Sequence, residues 1–152
     1  MALQAAGVRR RVGIYTLDKE GDETGHTDDE AKRYEPFIQA LPSVYPNSRT
    51  LLDNPEGQQS ALVAFLEWCK ANGVVAVGGL PTVFDDRRIA DSSVNLLRDF
   101  YARHKAGFVE LPNRSQYPRG EFFDTHYHLR QRAQVAHSEM VAEALVPFLR
   151  PP

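Results

Sequence analysis

Asp124, His126 and His128 fall within five residues of the stretch FFDTHYHLRQRAQVAHSEM, Phe122 to Met140. Three kinds of chemistry or structure use such a cluster. An aspartate that hydrogen-bonds one imidazole nitrogen fixes the ring tautomer and leaves the other nitrogen as a general base. That pair needs a Ser, Cys or Thr nucleophile within reach. Alternatively, residues two apart on an extended segment point the same way, so Asp124, His126 and His128 present three metal-ligating groups. An Asp-x-His-x-His set suits zinc or iron once a fourth ligand joins it, with His26, Asp28 and His104 as candidates. In the third reading the cluster is structural: Asp124 or Thr125 caps a polar turn and Tyr127 is its buried residue.

The elements that must position these groups follow from periodicity. Val12 to Leu17, VGIYTL, is β-branched and aromatic, which predicts a strand running into the polar loop DKEGDETGHTDDE. Helical spacing from about Asp29 to Leu41 is limited by Pro36 to a short or broken helix. PSVYPNSRTLLDNPEG, with three prolines and no period, predicts a loop. A clear helix then begins with Asn54 as N-cap, Pro55 at the first position and Glu56 at the positive dipole end. It places Leu62, Phe65, Leu66 and Cys69 on one buried face. Trp68 beside them is a packing residue, and Asn72-Gly73 closes the helix.

Val74 to Gly79 is a continuous apolar run, as in a strand buried on both faces of a parallel sheet. A further helix over about Arg87 to His104 buries Ile89, Leu96, Leu97, Phe100 and Tyr101. Gly107 to Leu111 is a third strand. The last helix starts near Arg130 and carries Ala133, Ala136, Met140, Ala144 and Phe148 at helical spacing, up to Pro151. His137 on this helix reads as a satisfied surface histidine. The alternation predicts one α/β domain over residues 1–152, a parallel sheet flanked by helices in three layers. Functional loops gather at the strands' carboxyl ends, here Asp18–Glu30, Pro81–Asp86 and Pro112–His128.

Composition narrows the function classes. The 152 residues are 42% hydrophobic and 25% charged, with a net charge of -2. That balance belongs to a globular domain and argues against a nucleic-acid partner, which favours a basic surplus. Arg9-Arg10-Arg11 is a dense basic cluster with no amphipathic helix beside it, and reads as a solvated approach to the first strand. Cys69 is the single cysteine, so no internal disulfide is available. No window is apolar enough to span a membrane. MALQAAGVRR has no signal-peptide core, so as written the sequence predicts a cytoplasmic chain. DETGHTDDE lacks the ligand spacing of a calcium loop and reads as a solvated acidic loop.

FFDTHYHL followed by an amphipathic helix resembles the last block of SGNH/GDSL-type hydrolases. More narrowly, it is similar to a branch in which that block reads Asp-Thr-x-Tyr-His-Leu. ALVAFLEWCKANGVVAVGGLPTVFDD also resembles that branch, and LDKEGDETGHT does so more weakly. The resemblance implies an α/β fold and acyl-ester hydrolysis or O-acyl transfer, often on carbohydrate, without a metal or other cofactor. It implies Asp124 and His128 as acid and base, with His126 in a variable position. The family's nucleophile lies in a Gly-Asp-Ser block after the first strand. Here the nearest string is Gly21 to Thr24, GDET, with Glu23 in the serine's place, and Gly21 and His26 are the only candidates for oxyanion positions. The sequence therefore resembles the C-terminal part of such a domain, and a thin sheet of three strands fits that expectation. An isolated chain of this kind is expected to have little esterase activity. Its open sheet edge would be covered by a second copy or by a preceding segment. The competing class is a binding or assembly module that keeps the fold without catalysis.

Overall fold

A computed structural model describes residue 19 and residues 27–44 and 58–149. The strand expected at Val12 to Leu17, the GDET string, Gly21, His26 and the cap at Asn54 lie outside the described residues. The order of elements is α1 (Asp28–Ala31), α2 (Glu35–Ala40), α3 (Gln58–Ala71), β1 (Val77–Gly79), β2 (Val83–Phe84), α4 (Asp91–Arg103), β3 (Gly107–Val109), β4 (Gln116–Tyr117), a 3-10 turn (Arg119–Glu121) and α5 (Gln131–Leu149). Helices and small parallel sheets alternate, so the architecture is α/β in this broad sense.

The sheet differs from expectation. Among the described residues there are two sheets of two strands each, not a single sheet of three. β1 pairs in parallel with β3, Val77 opposite Gly107, and β2 pairs in parallel with β4, Val83 opposite Gln116. β2 and β4 are two residues long, too short to show any period in the sequence. Their pairing is held by Val83 N–H donating to the Ser115 carbonyl at 3.1 Å and Asp85 N–H donating to the Tyr117 carbonyl at 2.9 Å.

Local chemistry sets the helix limits. Thr27 caps α1 through its hydroxyl, and Pro36 begins α2 rather than interrupting one long helix. α3 ends in a Schellman motif: Val74 N–H reaches the Cys69 carbonyl at 2.8 Å, Gly73 N–H reaches that of Lys70 at 3.3 Å, and Gly73 has φ +66°. Leu66 and Cys69 are buried as expected, but Phe65 and Trp68 are exposed at 56% and 57%. Among the described residues no element covers their helix face, so a periodic apolar stripe overstates what is buried. Val74 and Val75 are exposed too, because Val74 belongs to the helix cap and the strand starts only at Val77.

α4 starts at Asp91, four residues later than periodicity suggests. The segment ahead of it is held by the Gln116 side chain, which accepts from Ile89 N–H at 2.9 Å and donates to the Arg87 carbonyl at 2.7 Å. Ile89 is still buried, ahead of the helix, and Val94 joins Leu97 and Phe100 as its core residues. On α5, Ala133 is buried while Ala136 faces solvent.

Two apolar clusters result. One gathers Ile38, Phe84, Tyr117, Phe122, Leu129 and Ala133; the other gathers Leu80, Val83, Ile89, Val94 and Leu97. They meet at β2, whose Val83 and Phe84 belong one to each. Arg119 ties the first cluster to α2. Its guanidinium lies 4.2 Å over the Phe84 ring, donates to the Ile38 and Leu41 carbonyls at 2.8 and 2.9 Å, and pairs with Asp86 at 2.6 Å. None of the described helices is long and apolar enough to cross a membrane.

Candidate active site

The Asp124–His128 loop is closed at its neck by the antiparallel bridge between Phe122 and Leu129, both buried. Phe123 N–H donates to the His128 carbonyl at 2.7 Å, and Arg130 N–H to the Glu121 carbonyl at 2.8 Å. Apolar anchors therefore hold the two ends together, and the polar residues between them form the loop. Inside it the Thr125 hydroxyl accepts from the N–H groups of Tyr127 and His128 at 3.3 and 3.2 Å. This turn brings Asp124 Oδ1 to 2.9 Å from His128 Nδ1. The Thr82 hydroxyl donates to the Tyr127 carbonyl at 2.6 Å, which moors the loop to the connection after β1.

The pair is partly solvated, with the His128 side chain 55% exposed and that of Asp124 28%. A contact in that setting adds at most about 1 kcal/mol to stability. Its chemical consequence is larger. With Nδ1 engaged by the carboxylate, Nε2 is the ring atom left to act on a substrate proton in the arrangement a general base uses. His128 lines a cavity of about 420 Å3 with Leu80, Pro81, Thr82, Tyr127, Gln134 and His137. Two of the loops expected to gather at the carboxyl ends of the strands thus do so.

His126 takes a different course. Its ring stands edge-on to Phe84, centroids 5.7 Å apart, and its buried Nδ1 has no hydrogen-bond partner among the described residues. Among the described residues no three His, Cys, Asp or Glu side chains gather as a metal would require. The Asp124, His126 and His128 triplet therefore does not converge: the loop curls back on itself instead of running extended, so the alternation that would align the histidines is lost. Of the suggested fourth ligands, His104 packs on Phe100 and meets Glu67 at 3.4 Å, and Asp28 opens α1. Within the structural reading, Thr125 shapes the turn as expected, whereas Tyr127 is exposed and Phe122, Phe123 and Leu129 supply the burial.

Periodicity places His137 on the surface; the structure puts it in a wall. Its Nδ1 lies 2.9 Å from the hydroxyl of buried Tyr117, and burial lowers its pKa below the ordinary histidine value. It lines the 420 Å3 cavity and also a second of about 150 Å3, shared with Ser115. A sequence signal existed, since His137 lies four residues after Ala133 and three before Met140, on their face of the helix. For Ser115 and Tyr117 there was none.

Comparison with known proteins found no matching family model, no matching characterised protein and no matching solved structure.

Proposed function

We propose that this chain carries the acid–base part of an SGNH-type acyl-ester hydrolase or O-acyltransferase, acting on small-molecule or carbohydrate esters. The observation that carries the reading is the 2.9 Å contact between Asp124 and His128 at the wall of a ligand-sized cavity. His128 acts as general base, Asp124 as its orienter. A three-layer arrangement of the SGNH kind belongs to the same proposal. Its support is that a β-carbon on Gly78 would overlap the Tyr101 ring of α4, and one on Gly107 the Phe148 ring of α5. Val77 is the register partner of Gly107, so Gly78 and Gly107 face opposite sides of the β1–β3 pair.

The 152 residues contain no Gly-Asp-Ser string, so the isolated chain is expected to turn over esters slowly. The test compares steady-state hydrolysis of a short-chain p-nitrophenyl ester by wild type, His128→Ala and Asp124→Asn. A general base contributes about 10²-fold or more, so His128→Ala should remove most of the slow turnover. Asp124→Asn should lower it by a smaller factor. Equal rates in all three proteins would sink the reading.

A second reading is a non-catalytic binding or assembly module. It is favoured by the exposed Phe65 and Trp68 of α3, with Val74 and Val75 just beyond the helix. Equal hydrolysis rates would leave this one standing.

A further inference from the structure

Ser115 occupies an unusual position. It is 3% exposed and has φ 57°, directly after Arg114 with φ 55°. The two form the centre of a turn in which Gln116 N–H donates to the Asn113 carbonyl at 3.0 Å. Turns with two left-handed central residues favour Asn and Gly, because a β-carbon there is crowded. Here both positions carry side chains, and the surroundings enforce them. Asn113 Oδ1 accepts from Ser115 N–H at 3.0 Å, and its Nδ2 donates to the Gln116 carbonyl at 3.2 Å. The Arg114 guanidinium is fastened to Glu110 at 2.8 Å, to Asp91 and to the Ile89 carbonyl. The backbone of Ser115 is thus fully committed, to Asn113 on one side and Val83 on the other.

Its hydroxyl is not: it makes no hydrogen bond among the described residues. Ser115 lines the 150 Å3 cavity with His137, Gly78, Gly79, Val141 and Leu145. His137 is held there through Nδ1 by Tyr117 at 2.9 Å, which leaves Nε2 without a partner among the described residues. Burial lowers the pKa of the imidazole and so favours its neutral form, the state in which it can take a proton. A cavity of this size, walled largely by aliphatic side chains, has room for an acyl group of a few carbons.

We propose that Ser115 is an acylatable nucleophile, that His137 is its general base, and that the cavity they share receives the short acyl group of an ester. The class of reaction rests on the acyl-ester reading above; the residues do not include Asp124 or His128. In the step, Ser115 Oγ bonds to the ester carbonyl carbon while its proton passes to His137 Nε2. The tetrahedral intermediate collapses, the bond to the alcohol oxygen breaks, and His137 returns the proton to the departing alcohol. The product is an O-acyl serine and a free alcohol. In this structure Ser115 and His137 are not hydrogen-bonded to each other, and nucleophile–base pairs commonly tighten only around bound substrate.

The experiment uses the full chain with excess p-nitrophenyl acetate, read for the first turnover and then by mass spectrometry. A rapid release of one nitrophenolate per chain is expected, with the acetyl group on Ser115. His137→Gln should slow that burst by about 10²-fold. Ser115→Gly should abolish the acetylation while its thermal midpoint is equal or higher, since glycine accepts the left-handed conformation freely. The burst and the acetylated residue report on Ser115, and the difference in steady-state rate between wild type and His128→Ala reports on the Asp124–His128 pair, so either reading can fail alone. An unmodified Ser115, or acetylation at the same rate in folded His137→Gln, overturns the proposal.

Discussion

The ring of Tyr101 lies against Gly78 so closely that a β-carbon at that position would overlap it. Gly78 is in the middle of β1, opposite Phe108 of β3, and Tyr101 comes from α4. The contact fixes how near the helix approaches the strand pair, and through β1 it sets the wall shared by Gly78, Gly79 and Leu80 in the smaller cavity. Gly78→Ala should cost about 1–3 kcal/mol by overpacking. Chemical denaturation measures the loss, and adding Tyr101→Leu should recover part of it. If the double variant is less stable by the sum of the two single changes, the contact does not set the spacing.

Burial of His137 ties stability to pH. Its folded pKa is depressed, whereas the unfolded chain titrates near the ordinary histidine value of about 6.5. Above that pH both states are neutral at this residue and it contributes no slope. As pH falls below it, the unfolded state takes up a proton that the folded state refuses, so stability is lost until the folded pKa is reached. Thermal midpoints from about pH 7 down to pH 5 should therefore fall more steeply in wild type than in His137→Gln. Parallel curves would contradict the assignment.

Arg119 joins parts of the chain that are far apart in sequence. It donates to carbonyls at the end of α2, pairs with Asp86 and covers Phe84. Lysine has a single charged centre and cannot reproduce that fork, so Arg119→Lys should destabilise by about 1–3 kcal/mol. Arg119 holds the Asp86 carboxyl below the usual range, helped by the Ser43 hydroxyl. That part of the stability is present above the unfolded aspartate pKa and is lost as pH falls through and below about 4. Acid unfolding of Arg119→Lys should show a weaker dependence on pH in that window.

The Asp124 carboxylate beside Nδ1 should hold His128 in the Nδ1–H tautomer when neutral. Nitrogen-15 chemical shifts of the imidazole report this directly. Asp124→Ala should move the ring toward the mixture seen in free histidine, with the fold kept by the Phe122–Leu129 bridge. An unchanged tautomer in that variant would remove Asp124 from its role as orienter.

Much of the helical content was legible in the residue order, because caps and breakers act over one turn of chain. Asn72-Gly73 ends α3 for a local steric reason, and Pro36 starts α2 for another. The Asp124–His128 pair was legible on the same terms: four residues of a tight turn, closed by Thr125, bring the two side chains within reach. The alternative in which His126 joins them as a ligand assumes an extended segment, and the Phe122–Leu129 bridge bends it.

The sequence by itself therefore determined the broad α/β alternation, the C-terminal end of α3 and the proximity of Asp124 to His128, all consequences of interactions spanning a few residues. Only the tertiary structure decided which apolar faces are covered, leaving Phe65 and Trp68 in solvent while closing over Phe84 and Phe122. It also divided the strands into two pairs, bound the Gln116 side chain to the segment ahead of α4, and set His137 against Tyr117 in a wall shared with Ser115. Those outcomes join residues at least 20 positions apart. Burial and pairing at such separations depend on where other elements come to rest, and neither period nor spacing along one segment carries that information.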